Sequence, residues 1–493
     1  MHLSKSLYTR GLQCQKSLWL KKYNKDVLTP PDASAEAIFE RGNEVGALAC
    51  ELFPDGREVP YAGTTFDEKI ALTQEWMDEG VKNIYEASFS YEGILIMVDI
   101  LHINDDGSVE IYEVKSSTEV KDVYLHDASI QHYVLRGLGY KVRSTNIVHI
   151  NNKYVREDAL EIEKLFSVVD VTHEVEELQY NIPAHLGEFE KVLSDKEHEP
   201  LIDIGTHCTN PYACDAMNYC WKHIPDYSVF DISRLRVDKK FTLYAQGIVS
   251  FEQIEDVYAF SASQQVQIIS ELEQKEIINK EAIKAFLETL SYPIYHLDFE
   301  TFQQAVPEWR GISPFMQIPF QYSLQIEQEN GGLEHREFLA KEGEDPRYEL
   351  AKRLVADIPT NATVLAYNMG FEKGVIRKLA AMFPVFSEHL LAIHDNVKDL
   401  MTPFASKDYY VPAMKGSYSI KYVLPALVPE MAKAYKELDG VQNGGEAMQA
   451  FTRLSKIEDK AEVQRLRVAL LEYCKLDTLA MVRVLDKLKE SVG

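Results

Sequence analysis

The 493-residue chain has no long apolar run. Its most apolar stretch, Ile94 to Ile100, is strand-sized and interrupted by Asp99. Residues Met1 to Leu20 carry polar side chains throughout and contain no hydrophobic region of the secretory kind. A membrane-spanning or exported protein is therefore not expected, and the reading places the chain in the cytoplasm. Positive charge is scarce: Lys and Arg number 52 against 77 Asp and Glu, for a net charge of -25. That balance argues against a protein that coats nucleic acid, because such affinity comes from clustered cations that release counterions. It does not exclude a metal-dependent nuclease, which needs carboxylates at its centre and only a small basic track. Cysteine is sparse too. Six thiols in a chain of this kind point to metal or redox chemistry rather than to disulfides.

Against these absences stands an ordinary globular composition, 46% hydrophobic and 26% charged. The length exceeds one core and predicts two or three domains. Residues 1–225 alternate helical and strand-like signals and end in a cysteine-rich segment. Residues 226–290 are charged and amphipathic, with Val266, Ile269, Leu272, Ile277 and Ile283 at helical spacing, and read as a helical connector. Residues 291–493 alternate strands and helices, so the predicted fold class is α/β in both halves.

The most informative stretch is Ile294 to Thr301. Side chains alternate along a strand, so Asp298 and Glu300 share a face at the end of a buried run. Two adjacent carboxylates repel, and a divalent cation is the economical compensation. A strand end entering a solvated acidic loop is the plain alternative. Next, the strand Val364 to Ala366 leads into Asn368, Phe371 and Glu372 and then a helix. Near the end, Tyr473 and Asp477 stand one helical turn apart on a common face.

Taken in order, these pieces resemble the DEDD superfamily of 3′→5′ exonucleases, the DnaQ-like and RNase D-like enzymes on an RNase H-like fold. Asp298-x-Glu300 matches the first motif, Asn368-x-x-Phe371 followed by an acid the second, and Tyr473-x-x-x-Asp477 the third, in its tyrosine subclass. Ser417 to Lys421 is similar to the segment preceding the third motif. The family's second acid is usually Asp, whereas here it is Glu372, with Asp399 as a fallback ligand. The resemblance implies Mg²⁺ or Mn²⁺ held by Asp298, Glu300 and Asp477, a water-orienting Tyr473, and release of nucleoside monophosphates from DNA or RNA with a free 3′ end.

In the first half, Ile94 to Ile103 and Val109 to Ser116 read as a hairpin turned at Asp105-Asp106-Gly107. Asp99 lies inside the first strand, and Glu113 and Lys115 share a face of the second. Acids to hold a metal with a lysine to steady phosphate charge are what phosphodiester hydrolysis needs. An exposed hairpin with a cross-strand salt bridge is the alternative. Asp127 and Gln131 follow on one helix face. This set resembles the PD-(D/E)xK nuclease superfamily, in its RecB-like branch with a glutamine-bearing helix, and implies Asp99 and Glu113 as metal ligands beside Lys115 and Gln131. Glu86 is a further candidate ligand. The place where such domains carry a histidine falls on Gly46, with Glu40 or Glu44 as substitutes.

Cys14 stands alone near the start, while Cys208, Cys214 and Cys220 follow as C-x5-C-x5-C. The arrangement resembles iron-sulfur RecB-like nucleases of the CRISPR-associated and AddB type, which implies a 4Fe-4S cluster on these four thiols. A four-cysteine Zn²⁺ site is the runner-up. Cys50 and Cys474 read as core thiols. The whole is similar to a little-characterised prokaryotic family that fuses the two halves. The expectation is a nuclease with two sites. A C-terminal nuclease carrying an iron-sulfur-stabilised binding module, and a non-catalytic scaffold, are the alternatives.

Overall fold

A computed structural model describes residues 2–493. The chain separates into two compact units. One runs to His223 and takes in Gln304–Phe315; the other comprises Ile224–Gln303 and Met316–Gly493. The 226–290 segment thus clusters with the second unit rather than forming a body of its own. Its apolar periodicity is also interrupted. The Ala262–Glu273 helix stops at Gln274, which adopts a left-handed φ of 51°, and a new helix starts at Lys280 with Asn279 capping it. Between them Ile277–Ile278 forms a short strand, β8, paired antiparallel with Tyr409–Tyr410.

The first unit is built on a seven-stranded mixed sheet. Its strands are β1 (Leu3–Ser4), β2 (Arg57–Glu58), β3 (Asn83–Tyr91), β4 (Ile94–Ile103), β5 (Val109–Lys115), β6 (Val142–Ile150) and β7 (Phe166–Asp170). They run in the order β2-β3-β4-β5-β6-β7, with β1 paired to β4. The β4-β5 hairpin forms as its sequence predicts, turning through Gly107 at a φ of 77°, which the absence of a Cβ makes inexpensive. The pairing of β4 with β5 covers only Ile100–Ile103 against Val109–Tyr112, while Leu3 and Ser4 of β1 lie beside Ile94 and Leu95. The two central strands therefore diverge at Asp99 and Glu113. Ile84, Ile96, Val98, Leu101, Ile111, Ile130 and Val134 fill the core beneath.

The second unit carries a five-stranded sheet in the order β11-β10-β9-β12-β13. Its strands are β9 (Ile294–Phe302), β10 (Ile318–Glu327), β11 (Leu333–Leu339), β12 (Thr363–Ala366) and β13 (Val397–Asp399), and Tyr409–Tyr410 is β14. β9, β10 and β11 form an antiparallel meander, while β12 and β13 lie parallel to β9 and to each other. Leu297 and Phe299 point into a core with Tyr322, Leu324, Leu354 and Ile376. The alternation sends Asp298 and Glu300 the other way. The 33-residue helix Lys460–Val492 packs on β9 and β10. It is fixed by Gln321, whose Nε2 donates to the Leu470 carbonyl at 2.8 Å, and by a buried Ser323–Thr478 hydroxyl pair at 2.7 Å. Among the described residues, no helix is long and apolar enough to cross a membrane.

Candidate functional site

The second unit gathers the acids that the sequence pairs only by spacing. One ligand oxygen from each of Asp298, Glu300 and Asp477 lies within 4.8 Å of the others. β9 supplies the first two and the Lys460–Val492 helix the third. The register of that helix against β10 decides the meeting, since Thr478 is tied to Ser323 and Ser323 pairs with Asp298.

Glu372 lies in the first turn of the Met369–Met382 helix and is 2% exposed, with its Oε2 lacking any hydrogen-bond partner. Its charge acts on both Asp298 and Glu300, although it lies outside the 4.8 Å group. Asp399 is committed elsewhere. Its Oδ1 accepts the backbone N–H groups of Asn368 at 2.9 Å and Met401 at 3.0 Å, so it holds the β12-to-helix junction, where Asn368 takes a φ of 71°.

Crowding of acids out of water shifts every one of them upward. Burial, then the charges of Asp477, Glu300 and Glu372, drives Asp298 well above the usual carboxylate range. Burial with the charges of Asp477 and Glu372 brings Glu300 up to about 8, and burial brings Glu372 up to about 8. Asp477 rises to about 6, because burial outweighs the hydrogen bonds it receives from Tyr435 and Tyr473. Lys421 is the cation whose charge favours ionisation of Glu300 and Asp477. Burial thus disfavours the charged form of each of these four acids.

Two tyrosines serve Asp477. Tyr473 is 6% exposed, and burial followed by the Asp477 charge pushes its phenol upward, which keeps the O–H a donor. Tyr435, on the Pro429–Glu437 helix, donates to Asp477 Oδ1 at 2.6 Å. Nothing in the sequence separates Tyr435 from the chain's other tyrosines, and only the fold reveals it. Cys474, expected as a plain core thiol, is fully buried but lies 3.8 Å from Asp298 Oδ2 as a weak donor.

The first unit brings its own acids together by a different route. Asp99 Oδ2 accepts the Val114 N–H at 2.7 Å, replacing the ladder bond lost where β4 and β5 part. Glu113 is 1% exposed and accepts Gln131 Nε2 at 2.8 Å from the Asp122–Gly137 helix. Lys115 donates to Glu113 at 2.6 Å and to Asp127 at 2.5 Å.

Sequence reasoning missed Lys5. From the first residue of the Lys5–Gln13 helix, its ammonium reaches both Glu113 oxygens at 2.8 and 3.0 Å, and lies 3.9 Å from Asp99 and from Asp127. No local pattern marks it, because β1 alone carries it across a separation of 108 residues. Burial disfavours the Glu113 anion, yet Lys115 and Lys5 outweigh burial and hold it below the usual range. Asp99, pushed by burial and by Glu113, rises to about 7. Glu86 adopts a left-handed φ of 57° inside β3, and burial raises its carboxyl as well. Gly46 lies on the Ala33–Ala49 helix, where Glu40 and Glu44 are exposed to solvent and join no acid cluster.

Cys14, Cys208, Cys214 and Cys220 line one cavity. Cys14 caps the Gln15–Tyr23 helix, and burial lifts its thiol despite the Ser17 and Lys16 amides that face it. The Gly205 N–H points at Cys208 Sγ and the Ala216 N–H at Cys214 Sγ, each at 3.5 Å. Zinc bonds of about 2.3 Å draw four thiolates to within roughly 4 Å of one another. Among the described residues, no three of these sulfurs meet even the 4.8 Å spacing of the Asp298 group. Tyr212, between Cys208 and Cys214, hydrogen-bonds Tyr124, whose ring lies 5.4 Å from the Lys115 ammonium.

Residues 295–419 match a family described as Domain of unknown function (DUF2779). That stretch begins on β9 and contains Asp298, Glu300 and Glu372. Tyr473 and Asp477 lie beyond it. A search of curated proteins finds no match.

Proposed function

We propose that the chain is a metal-dependent nuclease whose second unit carries a 3′→5′ exonuclease site acting on DNA or RNA. The observation that carries this reading is the convergence of Asp298, Glu300 and Asp477, with the buried, half-unpartnered Glu372 beside them. The strand order β11-β10-β9-β12-β13, with the acids on the central strand, is the order expected of an RNase H-like sheet and supports the same reading.

These acids are hard oxygen donors whose charged forms burial disfavours, and a divalent cation would offset that cost as it displaced any protons they hold, so the residues fit Mg²⁺ or Mn²⁺. When bound, such a cation lowers the pKa of water and neutralises charge developing on phosphate. Asp298, Glu300 and Asp477 would hold it, Glu372 would accept a hydrogen bond from the attacking water and Tyr473 would orient that water, while Tyr435 donates to Asp477. Purified protein supplied with Mn²⁺ is expected to shorten a single strand from its 3′ end, and Asp298→Ala to abolish the shortening. Unchanged shortening by Asp298→Ala contradicts the proposal.

In the first unit, Asp99, Glu113, Lys115 and Gln131 form a RecB-like PD-(D/E)xK set in this reading. A second reading is favoured by Lys5, whose ammonium takes the space between the acids. In it the first unit binds nucleic acid without cutting. Mn²⁺-dependent cleavage that survives Asp298→Ala and disappears in Glu113→Ala would exclude that version. In this reading the four cysteines, which line one cavity with backbone amides aimed at two of their sulfurs, would hold a 4Fe-4S cluster, with Zn²⁺ as the alternative. Visible absorption that bleaches on reduction, with iron found by metal analysis, tests this.

A further inference from the structure

A second feature of the unit carrying the acid cluster is a concentration of cations without anionic partners. Lys407 is 3% exposed, donates to the Gly416 carbonyl at 3.2 Å, and sits 4.3 Å from the centre of the Tyr410 ring. Burial and the neighbouring Arg234 charge lower its ammonium to about 8. Arg234 is exposed and lies 4.9 Å from the Tyr418 ring. Lys415 and Lys421, both exposed, flank Tyr418 in sequence. Among the described residues, none of these four cations has a carboxylate within 4.0 Å. In a chain of net charge -25, cations gathered without ion pairs leave a local positive potential that attracts an approaching anion.

The backbone here is shaped to present the group. Arg234 and Lys415 hold left-handed φ values of 56° and 46°, a conformation that non-glycine residues adopt at a cost and that recurs at binding sites. Gly416, at a φ of 75°, is wedged so closely that a Cβ there would lie 2.3 Å from Gln267 Nε2 and 2.6 Å from the Asp231 carbonyl. That close approach locks the Lys415–Tyr418 turn onto the segment bearing Arg234. The Tyr418 carbonyl accepts the Tyr367 hydroxyl at 2.7 Å, next to Asn368, and Lys421 faces Glu300 and Asp477 electrostatically. Tyr418 thus links Arg234, which lies over its ring, to Lys421 three residues on, whose charge reaches the acid cluster.

We infer that Arg234, Tyr418 and Lys421 form a docking surface for single-stranded nucleic acid leading to the acid cluster, with Arg234 and Lys421 on phosphates and the Arg234–Tyr418 stack supporting a base. The choice of polymer rests on the nuclease reading. Cationic tracks with an aromatic platform suit single strands, because every base offers a π face and the backbone offers regular charge. Lys407 works from beneath, adding positive potential without contact.

The test is equilibrium binding of the full-length protein to a 5′-labelled single strand of about ten nucleotides, followed by fluorescence anisotropy in Ca²⁺ across a salt series. Arg234→Ala is expected to weaken binding about tenfold and to make the slope of log K against log salt shallower by about 0.7. Lys421→Ala, at an exposed position that folding does not need, makes the slope shallower by a similar amount. Arg234→Lys restores the slope but not the affinity, because lysine does not stack as a planar guanidinium does. Tyr418→Leu weakens binding with the slope kept. Wild-type affinity and slope in Arg234→Ala and Lys421→Ala overturn the proposal, as does equal displacement of the strand by inorganic phosphate. A wild-type protein that binds the strand but never shortens it in Mn²⁺ contradicts the nuclease reading and leaves the docking surface standing.

Discussion

The two acid clusters share a design and differ in what neutralises them. Each places carboxylates on a central strand of its sheet, with a helix closing from one side. In the first unit the chain supplies its own cations, Lys5 and Lys115, at bonding distance from Glu113. In the second, Lys421 makes no ion pair among the described residues, and burial with neighbouring acids raises Asp298, Glu300 and Glu372 above the usual carboxylate range. Buried acids alone therefore say little about metal binding. What separates a finished structural cluster from an incomplete one is whether the fold already contains the counter-charge.

The comparison breaks most visibly in activity. Outer-shell changes at metal sites cost about 10- to 100-fold, so loss of a direct ligand in Asp298→Ala is expected to exceed about 100-fold in 3′ shortening. Glu113→Gln, in the other cluster, should leave that shortening intact in a gel assay.

Next in size is stability, where the clusters should respond with opposite signs. Lys115→Ala strips a partner from Glu113 and Asp127 and is expected to cost about 3–5 kcal/mol in denaturant unfolding. Asp298→Asn instead removes a carboxyl whose ionisation burial and the neighbouring acids oppose. In chelator it should raise the melting temperature by roughly 2–4 °C for each 1 kcal/mol relieved. A fall in both variants would erase the distinction.

The pH dependence of the metal-free second unit sharpens it further. Glu300 and Glu372 rise from 4.5 to about 8 on folding, so the native state binds more protons than the unfolded chain between those values. Stability contributed by these groups is then lost as pH rises from about 4.5 to 8. Glu113 runs the other way, since its depressed pKa gives stability above its unfolded value that is lost on acidification. Scanning calorimetry in chelator should show unit two weakening toward pH 8. Added Mn²⁺ should restore it most at the alkaline end.

The smallest expected effect belongs to Tyr435→Phe. It removes one hydrogen bond to Asp477 and should weaken Mn²⁺ binding by about tenfold with little change in fold. An unchanged affinity would make Tyr435 a packing residue only.

Much of this was legible in the sequence where the chemistry is local. The Asp298-x-Glu300 strand, the Tyr473 and Asp477 helix face, and the hairpin turning at Gly107 all follow from periodicities of two and 3.6 residues. The reading failed where a long-range partner decides the outcome. Lys5 meets Glu113 only because β1 pairs with β4, and Tyr435 meets Asp477 only because a separate helix folds back over the site. The 226–290 segment reads as a helical connector, and the left-handed turn at Gln274 and the pairing of Ile277–Ile278 with β14 are divisions in it that periodicity does not mark. Asp399 offered a carboxylate of the right type, and backbone N–H groups claimed it first.

The most direct measurement of the central claim is the number of protons released on divalent binding at pH 7, from calorimetric Mn²⁺ titrations in buffers of different ionisation enthalpy. If the Asp298 cluster is the proton-holding metal centre, wild-type protein releases protons as Mn²⁺ binds. Asp298→Asn then loses both the binding and the release, and Glu113→Gln retains them. Binding without proton release, or release that persists in Asp298→Asn, would contradict the account.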